Sequence, residues 1–177
     1  MAKRTTARKA TVQTATKASA PPKSAELMVV PGRWDIPYNY SAGEVASRFL
    51  VTLREEGKVI ATKCPECKRI ILPPRSFCER CFVSLKNSWV DLPPTGQLAG
   101  FTIVEDQFAN APTPPYIIAY ILLDGATTTF PHFLSGVDFK NVDKLKKDVK
   151  MGMKVKLVFK PRAQREGRMR DFSVVPA

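Results

Sequence analysis

Residues 57–81 read GKVIATKCPECKRIILPPRSFCERC. All four cysteines of the chain lie here, as two Cys-x-x-Cys hooks, Cys64/Cys67 and Cys78/Cys81, with ten residues between them. Two hooks at this separation suit one tetrahedral zinc site of the ribbon type, with thiolates at ~2.3 Å from the metal. A closed set of four thiolates leaves no coordination position for a substrate, so the motif predicts a structural rather than a catalytic zinc. Two redox pairs or two disulfides are the alternatives. A redox Cys-x-x-Cys opens a helix in a βαβ context, and Pro73-Pro74 argues against that here. Zinc with four thiolates is net negative, and Lys63, Lys68, Arg69 and Arg80 stand beside the ligands to offset it.

Upstream, Ser41-Ala-Gly-Glu44 has the form of a capping box, in which the Ser41 and Glu44 side chains each accept from the other's amide. The spacing predicts a helix from there to Gly57, a natural left-handed stop. Val45, Ala46, Phe49, Leu50 and Leu53 fall on one side; Glu44, Arg48, Arg54 and Glu55 fall on the other, with Val51 among them. Before it, Leu27–Tyr40 is extended and punctuated by Pro31 and Pro37, yet carries Trp34, Tyr38 and Tyr40; these need either the chain's own core or a partner to lie on. Residues 1–25 carry six basic residues and no acid, which leaves +6 of the net +12 on the remainder. Bulky apolar residues are scarce there, so the stretch reads as a disordered basic tail rather than an organelle transit peptide. No apolar run reaches the ~18 residues of a membrane span, and no secretory signal follows the start. Paired cysteines without a signal favour a reducing, cytoplasmic location.

Downstream, Lys58–Lys63 and Arg69–Pro74 read as the short strands of the ribbon. The pattern is then all β: Gly96–Glu105, Tyr116–Leu123, Ala126–Leu134, Lys154–Lys160 and Asp171–Val175. YIIAYILL (116–123) is apolar throughout, which predicts cover on both faces. Asp124-Gly125 predicts a tight hairpin, and Pro131 places the next strand at an edge or bulge. Asp138–Lys150 is a short helix or a loop. Five short strands interrupted before the fourth predict a small Greek-key barrel of the OB type. The expected fold is therefore mainly β with an N-terminal helix: a rubredoxin-like zinc ribbon followed by a five-stranded OB-type barrel. The expected divisions are 1–25 (tail), 26–57 (extended segment and helix), 58–88 (ribbon) and 89–177 (barrel).

Catalytic signatures are missing from the sequence. His132 is the single histidine, no serine sits in a Gly-x-Ser-x-Gly elbow, and the glycines match no phosphate-loop spacing. Tyr116, Tyr120, Phe130 and Phe133 invite comparison with the single-strand platform of OB barrels, but the apolar character of 116–123 favours a core role. The basic turn Arg162–Arg170 suits a phosphate, whether of RNA or of coenzyme A.

The order of parts resembles a family of zinc-ribbon/OB-fold proteins associated with acyl-CoA enzymes and long known as a domain of unknown function. The likeness runs from Ser41 to Val175. It rests most on the four cysteines with Leu72-Pro-Pro-Arg75, and on Gly152-Met-Lys-Val155. The resemblance implies an accessory subunit that forms a hetero-oligomer with a thiolase-like enzyme, which supplies the catalytic cysteine and histidines. The ribbon subunit would help build or cover the channel for a CoA thioester, in some members with a bulky steroid-derived or aromatic acyl group. It also implies partner or CoA contacts at Arg48, Phe49, Val51, Arg75, Arg162 and Arg165. Arg75 is equally suited to neutralising the metal site. The competing expectation, from a different class, is a single-stranded nucleic-acid-binding module; a stand-alone acyl-CoA carrier is a third.

Overall fold

The computed structural model describes residues 31–32, 36–108 and 111–177. The chain divides into two units, Met1–Asn39 and Tyr40–Ala177. The expected tail and Trp34 lie outside the described residues, and Ile36–Asn39 is irregular and exposed. The second unit begins with helix α1 (Gly43–Glu56). Three strands follow, β1 (Val59–Lys63), β2 (Ile70–Ile71) and β3 (Trp89–Leu92), forming an antiparallel sheet in the order β2-β1-β3. The barrel strands are β4 (Thr95–Val104), β5 (Tyr116–Leu123), β6 (Phe130–Leu134), β7 (Lys154–Phe159) and β8 (Phe172–Pro176), with helix α2 (Val142–Asp148) between β6 and β7. The barrel closes in the order β4-β5-β6-β8-β7. This is the five-stranded Greek key of the OB architecture, with β6 and β8 parallel. Among the described residues no helix is long and apolar enough to cross a membrane.

The helix stripe behaves as its spacing predicts: Val45, Phe49 and Leu53 are buried, and Gly57 ends the helix at φ 64° with its N–H on the Leu53 carbonyl. The capping box does not form. The N-cap is Ala42, without a side-chain bond, and Ser41 Oγ instead accepts from the Gly43 N–H at 3.3 Å. Glu44 is drawn away to Lys86 in the ribbon, at 3.0 Å, so it cannot return to the helix start.

Residues 89–92 tie the ribbon to the start of the barrel, because β3 pairs with β1 from Val59↔Leu92 to Thr62↔Trp89. The expected turn at Asp124-Gly125 forms, with Gly125 at φ 87° and the Ala126 N–H on the Leu123 carbonyl at 3.0 Å. The return strand starts later than expected: the register is Ile121↔Phe130, so the connection is wider and β6 begins at Phe130. Thr127 and Thr128 are used elsewhere, as a suture to the ribbon. Thr127 Oγ1 accepts from the Ile70 N–H at 3.0 Å and donates to the Ile70 carbonyl at 2.8 Å. Thr128 Oγ1 does the same with Leu72, at 2.8 and 2.9 Å. Exchanging both threonines for valine keeps the shape and deletes these bonds. At about 1 kcal/mol each, the double variant should melt several degrees lower in a thermal scan, with an unchanged metal content.

Candidate metal centre and partner-facing surface

Each hook of the ribbon is a knuckle built by backbone hydrogen bonds. Lys68 N–H donates to the Cys64 carbonyl at 3.0 Å, and Cys64 N–H to the Arg69 carbonyl at 2.8 Å. The second knuckle repeats this, with Phe82 to Cys78 at 2.8 Å and Cys78 to Val83 at 2.9 Å. Both turns need a left-handed residue after the second cysteine, supplied by Lys68 at φ 60° and Phe82 at φ 56°. The result brings all four Sγ atoms within 4.8 Å of one another. Cys67 and Cys78 are 3.8 Å apart, matching the ~3.8 Å edge of a tetrahedron with 2.3 Å metal–sulfur bonds.

The donor set fits zinc. Cys64 and Cys78 are fully buried, and the Cys81 thiol is pushed up to about 12 by burial, then by its contacts with Cys67 and Cys64. A cation entering such a cluster displaces the thiol protons, which is the chemistry of a thiolate metal site. Their sole buried company is Ile71 and Leu85, too small a core to order the segment without the ion. Around the sulfurs, Arg69 donates to Glu79 at 2.9 Å, and that bond raises its pKa, with a further pull from Cys67 and Cys78. Glu79 is held below the usual carboxylate range by its own backbone N–H and by Arg69. Arg75 lies 3.4 Å from the other Glu79 oxygen, while its backbone N–H donates to the buried Thr62 Oγ1 at 3.2 Å.

The basic turn between β7 and β8 folds around a buried carboxylate. Asp171 Oδ2 accepts from the N–H groups of Glu166, Gly167 and Arg168 at 3.0, 2.7 and 3.0 Å. Burial alone would raise its pKa, but the three N–H donors and the charge of Lys160 hold it below the ordinary value. This shaped turn clasps α1. Arg165 points inward, donating to the Lys160 carbonyl at 2.7 Å and reaching the Arg54 carbonyl at 3.4 Å, at the negative end of the helix. Arg162 pairs with Glu55. Gly167 sits against the helix backbone, where a Cβ would come within 3.3 Å of the Leu50 carbonyl. A groove of about 210 Å³ remains between helix and turn, lined by Ser47, Leu50, Val51 and Arg54 from the helix and Glu166 and Gly167 from the turn.

With this geometry in hand, the comparisons are specific. Residues 52–85 match the rubredoxin-like zinc ribbon domain of ChsH2, and residues 89–160 match the C-terminal OB-fold domain of ChsH2. The chain belongs to the ChsH2 family of zinc-ribbon/OB-fold proteins. A DUF35-family protein of unknown function from Sulfolobus solfataricus, solved at 1.80 Å, superposes with a TM-score of 0.55 at 25% identity, over 76% of this chain and 87% of its own. A chain of the Ltp2–ChsH2(DUF35) aldolase superposes with a TM-score of 0.53 at 20% identity, over 77% of this chain and 96% of its own, and shows the shared fold. Comparison with curated proteins returns no match.

On this ChsH2-type scaffold the remaining candidate residues separate into supports and surface. Phe49 differs from its expected partner-facing place: it is 4% exposed and packs in the core, because it shares the stripe of Val45 and Leu53. Arg165 likewise works from beneath. Val51 is 46% exposed on the outer helix face, and the Arg48 guanidinium lies 4.6 Å over the Trp89 ring. Strand β5 corrects another expectation. Its burial alternates: Ile117, Ala119 and Ile121 face the barrel core, while Tyr116, Ile118 and Tyr120 face outward beside Pro131 and Phe133 of β6. Among the described residues the outer face is thus only partly covered. Phe130, the fourth aromatic of the supposed platform, is buried. His132 points inward, stacked on Phe172 at 4.7 Å, and each ring nitrogen lies 3.0 Å from a carbonyl oxygen, of Phe133 and of Met169. Asp171 and the two suture threonines escaped sequence reasoning. The one available signal was Asp171 as the acid that closes a basic turn.

Proposed function

We propose that the chain is a non-catalytic accessory subunit that docks on a thiolase-type enzyme and helps position a CoA thioester for carbon–carbon bond cleavage or formation. The observation that carries this reading is the match of both folded parts to ChsH2, a chain of the same fold having been solved as an Ltp2–ChsH2 aldolase. The chemistry of the chain supports it. The cysteines gather around one metal centre, which holds the ribbon and offers nothing to a substrate. His132 is occupied by backbone carbonyls, so a reading with the reacting groups on the partner is favoured. A bulky acyl group, steroid-derived or aromatic, fits the same reading.

The outer barrel face favours a protein partner over a nucleic acid. Tyr116, Ile118, Tyr120, Pro131 and Phe133 form an apolar area, and Thr102 and Val104 flank it on β4, with no lysine or arginine among them to track a phosphate backbone. Arg48, Val51 and Arg162 border the α1 side, where Arg162 could exchange Glu55 for a phosphate of CoA. Co-expression with a thiolase-type subunit of the same organism tests the proposal. One hetero-oligomer with raised thiolase activity is expected, and calorimetry should show a CoA thioester binding the complex more tightly than the lone chain. A free monomer that leaves the partner's activity unchanged would overturn it.

A further inference from the structure

The two knuckles have the same backbone and differ in one telling side chain. Each requires a left-handed residue after its second cysteine. Glycine meets that need without strain, and asparagine nearly so, whereas a bulky aromatic is among the worst choices. The first knuckle uses Lys68, whose Nζ turns back to the Pro65 carbonyl. The second uses Phe82, which makes no such return and is 82% exposed, more than any other large apolar side chain among the described residues. Phe77, immediately before Cys78, is 53% exposed. Stability alone disfavours Phe82 twice, through its φ and through its contact with water. Backbone strain that stability does not explain is characteristic of binding positions.

The surroundings specify the partner's chemistry. From residue 63 to 86 the ribbon carries six cations, Lys63, Lys68, Arg69, Arg75, Arg80 and Lys86, against the acids Glu66 and Glu79 and the formal −2 of four thiolates on zinc, so a positive excess remains. Glu79 is already taken by Arg69 and Arg75, and Lys86 by Glu44, which leaves Lys63, Lys68 and Arg80 as the cations without an acid partner among the described residues. Arg80 lies within the knuckle itself, two residues from Phe82. An exposed aromatic anchor set in a cationic rim is complementary to an apolar pocket with an acidic rim.

We propose that the second knuckle is a docking anchor, with Phe82 entering an acid-rimmed apolar pocket on the catalytic subunit and Phe77 packing at its edge. This rests on the accessory-subunit reading above and adds where the contact is made. The metal's part is to hold the anchor rigidly, which reduces the ordering cost of binding.

The anchor can be separated from the scaffold because Phe82→Gly should move stability and affinity in opposite directions. The full chain and its variants are titrated against the thiolase-type subunit that the co-expression test identifies, with zinc content and melting temperature measured in parallel. Phe82→Gly is expected to keep its zinc, melt at or above the wild-type temperature, and bind at least about tenfold more weakly. Phe82→Asn, which also tolerates the left-handed conformation, should behave alike and decides the matter if the glycine variant loses metal. Undiminished binding by these variants overturns the anchor and leaves the accessory-subunit reading intact. Failure of the wild-type chain to bind overturns both. Phe82-dependent binding of a single-stranded oligonucleotide, in place of the protein, also overturns the anchor.

Discussion

Cys67→Ser should reduce bound zinc from about one ion per chain to near zero and unfold the ribbon. The physical reason is the size of the segment's own core. Among the described residues the buried apolar company of the cysteines is Ile71 and Leu85, so around the knuckles the metal–sulfur bonds replace the burial that a larger domain would use. Structural zinc sites of this kind contribute on the order of 10 kcal/mol to folding their segment, so loss of one ligand has few ways of being absorbed. The barrel stands differently. Leu98, Ile117, Ile121, Phe130, Val155, Phe172 and Val174 form a core that does not depend on the ion, and Val59, Ile60, Ala61, Leu72 and Leu92 of the ribbon strands pack into it. Hydrogen exchange should therefore show amides of 64–88 losing protection first, with the β4–β8 amides retaining most of theirs. The melting temperature should fall by at least about 10 °C, since each kcal/mol corresponds to about 2–4 °C in a chain of this size. Unchanged metal content and unchanged melting would refute the four-thiolate assignment.

Asp171→Ala should have the second largest effect, without touching the metal. Three backbone N–H groups converge on one carboxylate oxygen, in a place closed to water. Alanine would strand all three, at about 1–3 kcal/mol for each donor left unsatisfied. Some would recover water as the turn loosens, so a net loss of about 3 kcal/mol is expected. Asp171→Asn retains an acceptor but not the charge and should fall between. The same group predicts a pH dependence. Its folded pKa lies below the ordinary aspartate value, so its contribution is complete above the unfolded pKa of about 3.9 and is lost as pH falls through the folded pKa. Wild-type stability should therefore fall on acidification below about pH 4, and urea titrations of Asp171→Ala over the same range should show a shallower slope. Equal slopes would show that this carboxylate is not ionised by the turn.

Where local spacing decides the outcome, the sequence was legible. The cysteine hooks announce the metal centre, and the positions of all five barrel strands follow from alternation and apolar runs, to within a residue or two except at the start of β6. The failures have a common cause, which is a side chain taken by a distant partner. Glu44 leaves the helix start for Lys86, 42 residues away, and the capping box is lost. Thr127 and Thr128 are recruited by Ile70 and Leu72, so the strand after the Asp124-Gly125 turn starts only at Phe130. Arg165 is turned from solvent to the end of α1. Strand β5 failed for the opposite reason: its outer side chains are apolar but only partly covered by the described residues. Apolar composition reports a demand for cover and is silent on which molecule meets it.

The clasp on α1 also imposes an order on synthesis. The Arg54 carbonyl and the Arg165 side chain that reaches it are 111 residues apart. A ribosome extending the chain at roughly 5–20 residues per second leaves the helix without that partner for about 5–20 seconds. The ribbon can load its metal during this interval, well before β8 seals the barrel. The helix is thus made before the ribbon and the barrel and is among the last elements secured. A change in the length of the turn between β7 and β8 would be felt there, as a helix that never locks.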